Sequence, residues 1–455
     1  MTKINEVGAP QYLPKNLGIY YGGAFQEPKD GHYQEIISPI NGKGIAKVAF
    51  AGKADTIKAL EAAEEAREGR AAVSTLERCT ILRNAAQIIR DHAEELAALD
   101  AWNIGSPISI MRAEVEYSAM NFDLFAGLAP AVTGETHRLT DDMFHYTIRE
   151  PLGVVARIIP YNHPMLGVAI KMATPLVMGN TVVIKVSEQA PISCSSSDGS
   201  HRRPLPTRSH KRACRSVPVG RAISRSAADT LKLTTHELGG KNALVAYPDA
   251  DIPKLVDGIV KRMNWAWCGQ SCSSTSRVFL HETIHDEVLK LVVEAIKKTH
   301  KPDNPLKTET SMGALVDKKA IERVKKYVEI GKKEGATLVT GGHAAEVTGE
   351  LANGCFWDPT IFSDVKQSMR IAQEEIFGPV MIEYGLTGSV YTTNTATAQK
   401  AVKKMEAGYC WINNSAKHFM GMPFGGYKQS GMGREHDLQE LYEMTQLKAV
   451  HMSLE

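Results

Sequence analysis

The sequence predicts an α/β protein with at least two mostly parallel sheets. Three observations predict it: a strand, helix, strand run with short connections in the first half of the chain, the same alternation repeated in the second half, and sufficient length. With 455 residues, 43% of them hydrophobic and 23% charged, the chain can bury more than one core in two or three domains.

The elements follow in order. From Lys53 to Asn103, Ala, Glu, Leu and Ile recur at spacings of three and four, with charges opposite, which predicts helices. Gly105 and Pro107 punctuate that run, and a helix from Met111 to Ala126 follows, with Gly127 as its expected stop. Met143 to Arg149 alternates as a strand, and GVVARIIP (153–160) reads as a buried strand ended by its proline. A helix from Met165 to Met178, the terminating pair Gly179-Asn180 and the apolar strand TVVIKV complete a parallel crossover unit. The end of such a strand is where a nucleotide usually binds. The alternation returns at ALVAYP, the helix Ile252 to Asn264, SRVFLH and the helix Ile284 to Thr299.

Composition excludes several classes. No run approaches the roughly eighteen apolar residues of a membrane helix, and Met1 to Asn16 lacks the apolar core of a secretory signal. A cytosolic protein is expected, with no membrane partner. Seven cysteines (79, 194, 214, 268, 272, 355, 410) are an odd number, widely spread, which is not a disulfide framework. None forms a Cys-x-x-Cys pair, and Cys268 and Cys272 have no histidine nearby, so no metal site is expected. The net charge of +2 is local: Ser193 to Arg215 carries five arginines and Lys211 against Asp198, so this stretch contributes +5 and the rest −3. A nucleic-acid partner therefore loses its support.

Three short segments carry chemistry. In GQSC, Cys272 stands on a Gly and Ser rich turn that can present a thiolate to a carbonyl carbon, or is a structural cysteine. In HELGGK, Glu237 precedes two glycines that let backbone approach a ligand; it is a general base of raised pKa or a solvated turn residue. In PYNHP, Asn162 is fixed between prolines, suited to an oxyanion or simply a turn residue, and His163 reads as a loop residue. Trp265 and Trp267, before Cys272, either line a substrate tunnel or fill the core.

In order, PYNHP, KVSE, HELGGK, GQSC, EEIFGP and PFGGYKQSGMGRE closely resemble the signatures of the NAD(P)-dependent aldehyde dehydrogenase family, from about Leu17 to Val450. That resemblance implies a Rossmann-type NAD-binding domain (1–135 and 152–236), a catalytic domain (237–444) and oligomerisation strands (136–151 and 445–455). It implies that Cys272 attacks an aldehyde, with Asn162 holding the oxyanion, and that Glu237 activates the water that hydrolyses the thioester to a carboxylic acid. Lys171 and Glu435 match proton-relay positions. Glu375 and Phe377 match the pair that positions the nicotinamide ribose and ring, Lys185 and Glu188 match contacts to the adenosine ribose, and Ile158, Pro160, Ser216, Gly220, Leu238 and Gly239 match the remaining cofactor contacts. Glu188 would repel a 2′-phosphate, so NAD is expected over NADP. FAGLAPAVTGET, NWAWCGQSC and PFGGYKQSG are similar to the betaine-aldehyde and broad-specificity branch. A homodimer or homotetramer is implied through FHYTIR and LKAVHMSL.

Two segments depart from the pattern. Asn162 and Glu237 are 75 residues apart, shorter than the family's interval, and Ser193 to Arg215 has hardly any large apolar residue and reads as disordered. After EEIFGPV the chain passes through MIE directly into YGLTGSV, where a crossover between parallel neighbours needs about a dozen residues. The competing expectation is thus a relic or assembly subunit without catalysis; an enzyme acylating coenzyme A is a third, against which Glu237 argues.

Overall fold

Helix packing sets the first core. In the computed structural model, which describes residues 11–195, 211–213, 217–381, 386–415 and 417–454, helices Thr75–Asp91, Ala93–Ile104 and Ile108–Leu128 pack together and on Pro164–Val177. Ser74 caps the first by accepting from the Glu77 N–H at 3.3 Å. The second ends at Gly105, whose φ of 76° is left-handed and whose Cβ, if present, would lie 2.9 Å from Ala314, so only glycine fits without strain. Gly127 is not a stop: it stays within Ile108–Leu128, and the turn comes at Ala129–Ala131, where Pro130 opens a 3-10 helix. A solvent-facing glycine can keep right-handed torsions, whereas the proline withholds its N–H from the α-helical ladder.

The crossover unit forms as its periodicity predicts. Val154–Ile158 pairs in parallel with Thr181–Lys185, Val154 opposite Thr181, with Pro164–Val177 between them. Lys211–Ala213 adds on the other side, Ala156 opposite Lys211. This strand lies inside the segment expected to be disordered; pairing needs only backbone donors and acceptors, which the open edge of Val154–Ile158 supplies. Ser193–Ser195, also inside that segment, forms a 3-10 turn rather than disorder; the rest of the expectation, over 196–210 and 214–215, lies outside the described residues, as does Ser216.

A second parallel sheet runs Arg277–Leu280, Ala243–Ala246, Thr387–Tyr391, Tyr409–Ile412. Val380–Met381 belongs elsewhere, pairing in parallel with Thr360–Ser363. The strands on either side of the second break are therefore not neighbours in one sheet, and the crossover length expected between them does not apply; residues 382–385 lie outside the described residues. Helix Ile252–Arg262 stops two residues short of its expected end because Asn264 adopts a φ of 56°, while Glu282–Thr299 starts two residues before its own. Met143–Pro151 pairs antiparallel with Thr445–Ser453 along its whole length, Met143 opposite Ser453.

One buried ion pair ties the helix Leu438–Glu443 to the first sheet. Arg157 Nη2 lies 3.5 Å from Glu440 Oε1, which also accepts from Thr174 Oγ1 at 2.9 Å, and both charged side chains are 2% exposed. Glu440→Leu is expected to destabilise the protein by about 3 to 5 kcal/mol, since it strands a guanidinium that cannot lose its proton. Guanidinium chloride unfolding reads this, and a change as small as that of a surface substitution would refute it.

Among the described residues no helix is long and apolar enough to cross a membrane, and no group of three or more His, Cys, Asp or Glu could hold a metal ion.

Candidate active site

A run of left-handed residues brings Cys272 to its place. Between the helix Ile252–Arg262 and the strand Arg277–Leu280, Asn264, Cys268 and Gly269 have φ of 56°, 51° and 66°. A Cβ on Gly269 would lie 2.2 Å from the Gly378 carbonyl oxygen, so that turn requires glycine. Asn242 Nδ2 donates to the Cys272 carbonyl at 2.8 Å, fixing the backbone while the side chain stays part-exposed. Cys268 contrasts with it: fully buried, with its Sγ donating to the Gly313 carbonyl at 3.0 Å and its thiol pushed up by burial.

Glu237 reaches the thiol through a pairing distant in sequence. His236–Glu237 runs antiparallel to Gly431–Met432, with Glu237 opposite Gly431. Gly431 has φ 140°, and a Cβ there would lie 2.0 Å from the His236 carbonyl oxygen, so this glycine lets the strands close. The Glu237 carboxylate sits within hydrogen-bonding reach of the Cys272 thiol, and its Oε1 is buried without a partner. Burial pushes the Glu237 carboxyl up, aided by Glu435; Lys171, Cys272 and His163 pull it back.

Lys171, on the helix Pro164–Val177, forms an ion pair with Glu435. Backbone bonds of 2.8 Å in both directions between Phe424 and Glu435 hold that segment. Against its burial, Lys171, Arg157 and His436 keep the Glu435 carboxyl well below the usual range. Asn162 is 4% exposed, and its Oδ1 meets no donor. If Glu237 acts as a base, Glu435→Gln removes a charge that raises its pKa and leaves Lys171 uncompensated, so the acid limb of kcat should move to lower pH. A pH-rate profile that stays put or moves up would contradict this.

The residues expected at a dinucleotide fall into two groups. In the first, Glu375 Oε1 accepts from the Gly240 N–H at 3.0 Å, and a Cβ on Gly239 would lie 2.1 Å from Glu375 Oε2, so the Gly-Gly pair is what lets this carboxylate approach. Burial pushes Glu375 up to about 7. Phe377 holds a φ of 52° and packs edge-on against Tyr161 at 5.9 Å. Gly240, Gly269, Ser271, Glu375 and Phe377 line one crevice. In the second, Ile158 and Pro160 are part-buried at the end of the first strand, while Lys185 and Glu188 pair at 2.8 Å on the surface. Gly220, in helix Val217–Ala228, lies against Leu238, since a Cβ there would meet Leu238 Cδ1 at 3.0 Å. Small residues, an exposed carboxylate and lysine and a buried carboxylate in a crevice fit a dinucleotide.

A further cluster joins residues that no sequence motif links. His163, outside the helix as its loop reading expects, stands at the N-cap position of Pro164–Val177 without a side-chain cap bond, and its Nδ1 lies 2.6 Å from Glu114 Oε1. The Trp267 N–H donates to the same oxygen at 2.9 Å. Burial alone would lower His163, but Glu114, Glu237 and Asp100 outweigh it and raise its pKa. A glutamate on the buried face of Ile108–Leu128 was the signal available. The two readings of the tryptophans divide: Trp265, 1% exposed, is core, and Trp267 is part-buried beside His163 at 5.9 Å.

Relatives bear the same sequence and shape. Aldehyde dehydrogenase tropH of Talaromyces stipitatus is 41% identical, covering 97% of this chain and 94% of that protein. A structure of aldehyde dehydrogenase from Bacillus cereus in complex with NAD+ is similar at a TM-score of 0.91 and 32% identity, over 98% of each chain. Betaine aldehyde dehydrogenase from Staphylococcus aureus, also in complex with NAD+, gives a TM-score of 0.91 at 29% identity, over 96% of this chain and 95% of that one. The aldehyde dehydrogenase family model matches residues 25–196 and 214–450, interrupted only across the segment where the basic text stands. With that match over most of the chain, and with a thiol and a carboxylate within hydrogen-bonding reach of each other inside the matched sequence, the chain belongs to the aldehyde dehydrogenase family.

Proposed function

We propose that this protein oxidises an aldehyde to a carboxylic acid with NAD, Cys272 being the nucleophile. The observation that carries this reading is the Glu237 carboxylate, raised by burial, within hydrogen-bonding reach of the Cys272 thiol. The Cys272 sulfur adds to the aldehyde carbon, and the carbonyl oxygen becomes an oxyanion held by the Asn162 amide. NAD, when bound, supplies the hydride acceptor; Lys185, Glu188, Glu375 and Phe377 would hold it, with Ile158, Pro160, Gly220, Leu238 and Gly239 leaving room for it. Glu237 then takes a proton from the water that attacks the Cys272 thioester, releasing the acid and the thiolate. Lys171 and Glu435 would carry that proton onward. The exposed Glu188 carboxylate favours NAD over NADP by repelling a 2′-phosphate.

No observation among the described residues favours a relic or an assembly subunit without catalysis, and a base beside the thiol favours hydrolysis over transfer to coenzyme A. NADH formation by the purified protein with NAD and aliphatic, aromatic and trimethylammonium aldehydes tests the reading. Turnover independent of coenzyme A is expected; a folded protein that forms no NADH with any aldehyde, or that requires coenzyme A, would refute it. The nine-residue pairing of Met143–Pro151 with Thr445–Ser453 supports a homodimer or homotetramer built by sheet extension, which light scattering would read as a multiple of the chain mass. Among the described residues six cysteines stay outside any disulfide, which suits a reducing, cytoplasmic setting.

A further inference from the structure

Cys272 packs against a buried cluster made of Leu386, Tyr409, Trp411 and Phe424. The Tyr409 and Trp411 rings are 4.9 Å apart, Phe424 lies 5.7 Å from Tyr409, and the His418 ring lies within 5.5 Å of all three aromatic rings. Against this aromatic wall stands Arg262, the last residue of the helix Ile252–Arg262, with its guanidinium 4.5 Å from the centre of the Trp411 ring. Arg262 is 3% exposed, and its Nε and Nη2 are buried with no hydrogen-bond partner. Its electrostatic neighbours include Cys272, Tyr409 and His418, none of them a carboxylate, and burial lowers its pKa to about 10.

Stacking on an indole compensates a guanidinium's charge but leaves the N–H donors, which lie in the guanidinium plane, unsatisfied. Buried donors without acceptors are costly, and a planar fork is matched best by a carboxylate. The cation therefore has an aromatic floor, a nucleophile beside it and, among the described residues, no counter-ion of its own.

We propose that this aromatic wall is the substrate subsite of Cys272, and that Arg262 selects an aromatic aldehyde carrying a ring carboxylate. The inference rests on the aldehyde-oxidising reading above and specifies its substrate class. It also disfavours a trimethylammonium aldehyde, which would bring a second cation to the same wall.

The test compares 4-carboxybenzaldehyde with its methyl ester. The wild type is expected to favour the free acid in kcat/KM by about ten- to a hundredfold, the scale of a hydrogen-bonded charge. In Arg262→Met that ratio should fall to near one, chiefly through KM. Equal handling of the two aldehydes by the wild type, or an unchanged ratio in the variant, would overturn the proposal. Should Arg262→Met fail to fold, Arg262→Lys serves instead: a preference reduced severalfold supports the proposal, and one equal to the wild type's overturns it. Calorimetric titration with terephthalate, which cannot be oxidised, separates this inference from the activity itself. Binding by the wild type that is weakened in the variant supports the subsite even if no aldehyde turns over, and no binding by the wild type overturns it.

Discussion

Cys272→Ala is expected to fold and to form no NADH with any aldehyde, a loss of at least about 10⁴-fold, as when a nucleophile is deleted. The size follows from the absence, among the described residues near the site, of a thiol that could substitute. Cys268, four residues earlier, is fully buried, spends its S–H on the Gly313 carbonyl and has its thiol pushed up by burial. No thiolate can form there at neutral pH. Folding should survive because Cys272 is part-exposed and its position is held by backbone contacts through Asn242 rather than by its sulfur. The complementary substitution, Cys268→Ala, removes a buried side chain but no chemistry. NADH release followed by absorbance, with circular dichroism as the folding control, checks both. Turnover by a folded Cys272→Ala protein above about a hundredth of the wild-type rate, some 2.7 kcal/mol of barrier, would show that this sulfur is not the nucleophile.

How far the sequence could be read depends on whether the deciding interaction was local. The crossover unit from Gly153 to Val186 was legible to within a residue or two, because its apolar periods and the Gly179-Asn180 stop are local signals; Gly179 has φ 86°, as a helix-ending glycine should. Two helix ends differ from the sequence reading: Asn264 turns left-handed to start the Cys272 loop, a torsion set by tertiary context, whereas exposed Gly127 simply stays helical until Pro130 ends the ladder. The second break looked worse than it is, since sequence order cannot reveal that Val380–Met381 and Thr387–Tyr391 join different sheets. Within the site, each motif was visible but its pairings were not. Glu237 approaches Cys272 because Gly431 admits its strand, and Glu114, His163 and Trp267 meet from three separate elements. Arg262 was hidden most completely: a cation in a helix's last turn reads as a solvated partner of the dipole, whereas here it is buried on Trp411.

Glu237→Gln should separate the two halves of the reaction. Glutamine keeps the shape and can still face Cys272, but it cannot take a proton from water. Acylation should therefore proceed once and deacylation should stall, giving a burst of about one NADH per site followed by a steady rate lowered by about 10²- to 10⁴-fold, the contribution of a positioned base. Mass spectrometry of the stalled protein should find an acyl group on Cys272. The pH dependence carries an independent mark. Burial and Glu435 raise the Glu237 pKa, so the wild-type deacylation rate should climb as pH rises through that raised value and the base loses its proton. With glutamine in place nothing titrates there, and that limb should flatten. A variant that keeps the wild-type steady rate, or that shows neither burst nor adduct while Cys272 still reacts with iodoacetamide, would place the water-activating base elsewhere. Of the charged groups around the thiol, Lys171 and Glu435 neutralise each other in an ion pair and His163 is engaged by Glu114. Among the described residues, the Glu237 carboxylate, with one oxygen buried and unpartnered, is therefore the group expected to accept a proton at this position, since Arg262 beside the thiol offers only donors.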